Sequence, residues 1–373
     1  MVWAILFGSL LLLAVAGFVF LVRSIMKFRF VAVLSRGSKA AAVIVSVAVL
    51  LLPSALLWLL WGGANVVIVL LHLALFWCIS EAVFAVLCKC RKKQFGRYYA
   101  GALAVAVTVL YLGVGFFQAN HVRQTDYTIK TDKNVGFLRI ALLADSHVGT
   151  TFDGEGLSRY ISEIAKQNPD VVVIAGDFVD ESTSREDMVA ACRSMRQLDT
   201  PYGVYFVFGN HDKGAYSNGS RGYSGEELVS ELTANGVTVL RDESVLIDGR
   251  FYLVGRQDAS EELDFGGSRA TMADLTTGLD GDIYTVVLDH QPRDYAAQAG
   301  SGADLVLSGH THGGQMIPLV QLIRWFHIVD DNVYGYERRE NTDFIVTSGI
   351  SDWALQFKTG CWSEYVIIDI SGS

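Results

Sequence analysis

Residues 40–80 contain no charged side chain. A run of that length is about twice what one helix needs to cross a bilayer at about 1.5 Å per residue. Gly62-Gly63-Ala64-Asn65 falls near its middle and reads as a tight turn between two helices. Two further uncharged runs, residues 2–22 and 98–120, stand on either side. This pattern predicts four transmembrane helices in residues 1–120 rather than buried core helices. Ala14-Val15-Ala16 resembles a signal cleavage site, but no basic segment precedes the apolar run. The short loops set an orientation. Arg23, Lys27, Arg29, Arg36 and Lys39 fill the first, and Lys89, Arg91, Lys92, Lys93 and Arg97 fill the third, while the turn at 62–65 is uncharged. Basic loops stay in the cytoplasm, so the fourth helix leads outward and the rest of the chain is expected on the extracytoplasmic face. Glu81 is the lone acid of this region. It reads either as a functional intramembrane acid or as one that snorkels toward the cluster at Lys89.

The rest of the chain is built for water. From residue 121 onward there are 20 basic and 38 acidic residues, against ten and one before it. An acidic surface of this kind excludes nucleic acid as a partner, because phosphate backbones need a basic footprint. An anionic substrate must instead meet something locally positive, and bound metal would serve. The five cysteines form no C-x-x-C pair, so neither a zinc-thiolate site nor a disulfide scaffold is expected. A pairing of Cys192 with Cys361 stays open.

Residues 121–135 are polar and aperiodic and read as a linker to a domain spanning 136–373. Short β-rich runs follow at 138–143, 171–175, 204–208, 237–240, 251–254, 283–288, 304–307, 344–347 and 365–370. Helical patterns at 156–167, 185–197 and 225–235 lie between some of them. Strand–loop–helix alternation predicts an α/β domain whose ligands lie beyond strand C-termini.

Polar blocks stand at five of these strand exits. They are Asp145-Ser146-His147, Gly176-Asp177-Phe178-Val179-Asp180, Gly209-Asn210-His211-Asp212, Asp289-His290-Gln291-Pro292 and Ser308-Gly309-His310-Thr311-His312-Gly313-Gly314-Gln315. One D-x-H recurs by chance; five blocks, each behind a strand, do not. In extended backbone, residues two apart face the same way, so Asp145 with His147, and His310 with His312, can reach one centre or neighbouring centres. The Asp177 carboxylate has two oxygens and can bridge two cations. Imidazole and oxygen donors without thiolate suit Mn, Fe, Zn or Co rather than Mg or Ca. His72 and His121 read as bystanders.

These blocks resemble the calcineurin-like metallophosphoesterases, in the order D-x-H, G-D-x-x-D, G-N-H-D/E, a lone His and G-H-x-H, over residues 136–370. The run 309–315 looks like the membrane-associated bacterial branch, which acts on phosphodiesters or lipid-linked phosphates. The resemblance implies a four-layer αββα sandwich behind the four transmembrane helices, and two divalent metal ions. It puts Asp145, His147 and His312 on one ion and Asn210, His290 and His310 on the other, with Asp177 between. His211, assisted by Asp212, would contact the phosphate and protonate the leaving oxygen, and Asp180 would orient a neighbour.

The apolar stretch at 316–329, with Arg324, Trp325, Phe326 and His327, reads either as buried core or as a loop dipping into lipid beside the site. The expected function is a phosphoesterase in the bacterial cell membrane, acting on a phosphoester that is lipid-linked in the second reading. A UDP-diacylglucosamine pyrophosphatase with a cytoplasmic catalytic domain is the alternative. A metal-dependent sensor is a third reading, disfavoured because nothing like a signalling output follows the last strand.

Overall fold

A computed structural model describes residues 2–217, 221–317 and 330–372. The chain divides into two compact units, residues 1–115 with 354–356, and residues 116–353 with 357–373.

The first unit is helical: α1 (Val2–Ile25), α2 (Arg29–Leu34), α3 (Lys39–Arg91) and α4 (Ala100–Asn120). Among the described residues, α3 and α4 are long and apolar enough to cross a membrane, against the four spans expected. The difference lies partly in α3, a 53-residue helix interrupted at Gly62, whose φ of 79° and ψ of 174° are not helical. Ala42 and Leu50 before that break and Trp77 after it share one buried cluster with Leu21 and Ile25 of α1. Thirty-five residues of straight helix would put Ala42 and Trp77 about 50 Å apart, so the two arms of α3 turn back on each other. Outward-facing side chains stay apolar, with Leu52, Leu59 and Leu110 exposed by 73%, 76% and 71%. Water does not favour such a surface. Glu81 does not reach toward Lys89 as one reading expected. It pairs with Lys27, whose Nζ is 2.6 Å away, and accepts from Ser24 and Tyr98.

The second unit holds two mixed six-stranded sheets. Its strands are β1 (Arg123–Lys130), β2 (Phe137–Leu143), β3 (Val171–Ala175), β4 (Val204–Val207), β5 (Val237–Val239) and β6 (Glu243–Ile247), followed by β7 (Phe251–Gly255), β8 (Tyr284–Leu288), β9 (Leu305–Ser308), β10 (Gly335–Arg339), β11 (Thr342–Val346) and β12 (Glu364–Ser371). One sheet has the order β1-β12-β2-β3-β4-β5 and the other β10-β11-β9-β8-β7-β6. Leu138, Ile140, Leu142 and Val173 from the first sheet pack with Leu253, Val286, Leu305 and Ile345 from the second. Helices α5 (Gly154–Ala165), α6 (Arg185–Ser194) and α7 (Gly225–Ala234) cover the outer face of the first sheet through Leu157, Ile161, Met188 and Leu228. Short helices α8 (Ser260–Leu263), α9 (Met272–Thr276) and α10 (Tyr295–Gly300) follow, and Met272 and Tyr295 pack against Val287 and Phe344 on the second sheet. Strands β3, β8 and β9 are apolar on both faces because both faces are covered, which is why they read as continuous runs rather than alternations.

The segment expected as a linker is not one. Residues 123–130 form β1, parallel to β12 from Arg123 opposite Glu364 to Lys130 opposite Ser371. It is an edge strand with Ile129 alone fully buried, so its sequence stays polar. Cys192 and Cys361 are both buried free thiols.

Candidate metal centre

β2, β3 and β4 are parallel neighbours in one sheet, and β8 and β9 in the other. Parallel pairing puts their C-terminal ends at the same side of each sheet, so the polar blocks that follow them meet. The backbone there is bent rather than extended. Asp145, His147, Asp177, His310 and His312 have φ of 54°, 35°, 50°, 73° and 48°. Side-chain alternation therefore does not explain how these residues converge; left-handed turns at the strand exits do. Such φ values are uncommon outside glycine and persist only where the surroundings impose them.

Two groups of ligand atoms result, each drawn together within 4.8 Å: Asp145, His147 and His312 in one, and Asp177, His290 and His310 in the other. Asn210 joins the second, its Oδ1 2.9 Å from His310 Nδ1. His310 and His312, two apart in sequence, thus go to different groups. Asp177 stands between the groups, with Oδ2 3.1 Å from His290 Nε2 and 3.6 Å from His147 Nε2. Close backbone approach makes this possible. A Cβ on Gly309 would sit 2.6 Å from Asp145 Oδ2, and one on Gly209 would collide with the Asp177 carboxylate. A side chain at either position would push a carboxylate out of the centre.

The donors fit divalent cations. His290 Nδ1 gives its hydrogen to the Ala175 carbonyl at 2.7 Å, which leaves the Nε2 lone pair facing the centre. That Nε2 and both ring nitrogens of His147 are buried facing carboxylates, Asp177 at 3.1 and 3.6 Å and Asp180 at 3.4 Å, with no well-formed hydrogen bond. Buried polar atoms are rarely left so, and a cation would supply the missing partner. The charges agree. Burial opposes a charge on His147, yet Asp180, Asp177 and Asp145 outweigh it and push the ring up to about 9. Burial is likewise outweighed at His290, which Asp177 holds well above the usual imidazole range. Burial and the neighbouring His290 push His310 down to about 3, and burial keeps His312 well below its ordinary value. Without metal, protons on two of the four imidazoles balance the carboxylates, where cations would otherwise do so.

The calcineurin-like phosphoesterase family matches residues 138–314, a range that contains every residue of both groups. Residues 138–314 are thus similar to a calcineurin-like metallophosphoesterase domain. The chain is 26% identical over 310 residues to the uncharacterized metallophosphoesterase Cj0846 of Campylobacter jejuni, covering 81% of this chain and 78% of the relative. A Helicobacter pylori (strain J99) metallophosphoesterase is 29% identical over 241 residues, 62% of this chain, and the match spans 58% of that relative's length. A zebrafish "transmembrane protein with metallophosphoesterase domain" is 28% identical over 316 residues, covering 80% and 69%. Relatives thus include animal as well as bacterial proteins, so the resemblance is not to a bacterial branch alone. The matched family is one of phosphoesterases, and the relatives carry the name metallophosphoesterase.

Around the metallophosphoesterase centre, one expectation needs correction. Asp212 does not assist the His211 ring. Its Oδ2 accepts from the backbone N–H groups of Asp177 and Gly209 at 2.8 and 2.7 Å, and its Oδ1 from Phe178 and Val179 at 2.8 and 3.1 Å. A buried carboxylate so occupied braces two strand exits. The carboxylate on His211 is Glu181, whose Oε2 lies 2.8 Å from Nδ1. Glu181 directly follows Asp180, so the sequence pattern pointed one residue short of it. Asp180 instead takes Ser182 and Thr183 and faces His147 Nδ1 at 3.4 Å. Trp353 and Tyr216 flank the His211 ring with centroids 5.1 and 5.0 Å away, and Trp353 Nε1 donates to Glu181 at 3.2 Å. Behind His312, the fully buried Lys358 lies 3.1 Å from Asp352, whose Oδ1 is 3.8 Å from His312 Nδ1. No motif marks these residues, since each acts through a neighbour reached only by folding. His72 and His121 bond to the carbonyls of Ile68 and Phe117 and belong to neither group. Arg324, Trp325, Phe326 and His327 lie outside the described residues.

Proposed function

We propose that the domain hydrolyses phosphoesters at two divalent ions, one held by Asp145, His147 and His312 and the other by Asn210, His290 and His310, with Asp177 shared. The observation that carries this reading is the position of Asp177 Oδ2, one carboxylate oxygen facing an imidazole of each group. Ions bound there would supply a nucleophile at neutral pH and offset charge on the phosphoryl oxygens. Imidazole, amide and carboxylate donors suit Mn, Fe, Zn or Co. His211 is anchored twice, its backbone N–H on Asp177 Oδ1 at 2.9 Å and its Nδ1 on Glu181. Glu181 holds the Nδ1 hydrogen and fixes the ring plane. Nε2 is then the nitrogen that can give a proton to a departing alkoxide.

The same reading makes the first unit a membrane anchor of four spans, α1, the two arms of α3, and α4. Apolar surfaces exposed on these helices and the transmembrane relatives support it. Basic loops at 23–39 and 89–97 would lie in the cytoplasm and the catalytic domain outside. A phosphodiester or lipid-linked phosphate of the cell envelope is then the substrate within reach.

Hydrolysis of bis(p-nitrophenyl) phosphate by full-length protein in detergent, with elemental analysis, tests the centre. Asp177→Asn is expected to abolish turnover and to lower metal content from two ions per chain. A variant that keeps both overturns the assignment.

A further inference from the structure

The first unit has a cavity of about 760 Å³ that the phosphoesterase reading does not use. Five cations line it, Lys27, Lys89, Lys92, Lys93 and Arg97, against one acid, Glu81. That acid is committed to Lys27, and residues 1–120 contain no other. Lys89, Lys92, Lys93 and Arg97 therefore converge on one space with no carboxylate partner among the described residues. Like charges gathered in this way repel unless an anion sits among them.

The backbone builds this convergence. Lys92 ends α3 in a left-handed conformation with φ 51°, and its N–H bonds back to the carbonyls of Cys88 and Lys89. The chain then curls over the end of α3 and brings Arg97 and the start of α4 to the same cavity. Tyr99 and Ala100 at that start also line it, and the first turn of a 21-residue helix adds partial positive charge. Aromatic rings share the lining with the cations. Phe84 and Phe95 meet edge to face at 5.1 Å, and Tyr99 lies 6.1 Å from Phe95. Cations and aromatic rings lining one space, beside helices with apolar outer surfaces, fit a molecule that carries a phosphate at one end and hydrocarbon at the other. The volume falls in the range of about 300–1,000 Å³ typical for organic ligands and exceeds what a lone phosphate fills.

We propose that this cavity binds the phosphate headgroup of an anionic membrane lipid, whose chains leave along the apolar faces of α3 and α4. The proposal rests on the membrane reading of the first unit and is independent of the metal centre. A basic loop serving orientation alone needs only a count of charges, not their assembly around one aromatic-lined space.

Delipidated full-length protein in detergent is titrated with phosphatidylglycerol, phosphatidylcholine and inorganic phosphate, and bound lipid is read by native mass spectrometry. Phosphatidylglycerol is expected to bind about tenfold or more tightly than phosphatidylcholine, and Lys92→Ala with Arg97→Ala to erase that preference. Arg36→Ala, a basic residue outside the cavity, is expected to leave it unchanged, and Lys92→Arg to keep it. Equal binding of the two lipids overturns the proposal, as does an Arg36→Ala loss equal to that of the cavity variants. Displacement of the lipid by equimolar inorganic phosphate would mark a site for free anions and overturn it too. Size-exclusion profile and bis(p-nitrophenyl) phosphate turnover report folding of each variant and the state of the catalytic domain separately. The discrimination between lipids by unaltered protein decides the matter even where a variant fails to fold.

Discussion

At the scale of single residues, protons on two imidazoles balance the carboxylates of the centre where cations would otherwise do so. His147 is raised from an ordinary 6.5 to about 9 by carboxylates that overcome its burial, and His290 is raised as well. In metal-free protein the protonated rings stabilise the fold fully below about pH 6.5, and that contribution is lost as pH climbs through the raised values. A melting series in chelator is expected to show Tm falling from pH 6.5 to about 9. Cations take the place of those protons, so manganese-loaded protein should show a weaker fall, and metal affinity should rise with pH over the same window. A metal-free protein equally stable at both ends would refute the charge balance. At His211 the expected loss is kinetic. His211→Ala should lower turnover about a hundredfold or more while sparing metal content. Glu181→Gln, which keeps the size but weakens the hold on Nδ1, should lower it by less, about tenfold. Steady-state kinetics with metal analysis checks both, and full activity in His211→Ala would remove the proton-donor role.

Among elements, strand exits carry the site and strand edges carried the errors of sequence reading. β3, β8 and β9 are buried on both faces and announce themselves as apolar runs. β1 and β10 hide in polar sequence because each lies at the edge of its sheet, half facing solvent, and the edge strand β6 is short and mostly exposed. The Asp212 brace belongs to this scale too. It ties the loops after β3 and β4 together through four backbone N–H groups. Asp212→Ala would leave those donors buried without partners, at about 1–3 kcal/mol each before relaxation. A net loss of about 3–5 kcal/mol is expected, read as a large drop in Tm. A change in turnover with Tm unaltered would instead return Asp212 to a direct role. The break in α3 was visible as a Gly-Gly pair, and the two arms turn back on each other there.

The whole molecule joins two materials. Ten basic residues and one acid accompany the apolar helices, whereas 38 acids accompany the catalytic domain. That division is thermodynamic in origin, since lipid excludes ionised side chains and water tolerates them. The four-span reading makes a definite topological prediction. A reporter fused after Ser373 should be active when it is one that works only outside the cytoplasm, and silent when it is one that works only inside. The reverse result would put the catalytic domain with cytoplasmic substrates.

Composition and motif order by themselves pointed to the class of chemistry, to a division between apolar helices and an acidic domain, and to most candidate ligands. Chemistry of this kind needs particular atoms, and particular atoms need particular residue types wherever they fall in the chain. Residue spacing left open which groups those residues join; the family resemblance implied the partition, and the folded structure brings it about. His310 and His312 part company because left-handed backbone turns them toward different neighbours, and Glu181 reaches His211 where Asp212 does not. Those choices depend on loops from two sheets meeting in space, and no local pattern encodes the direction in which a loop leaves its strand.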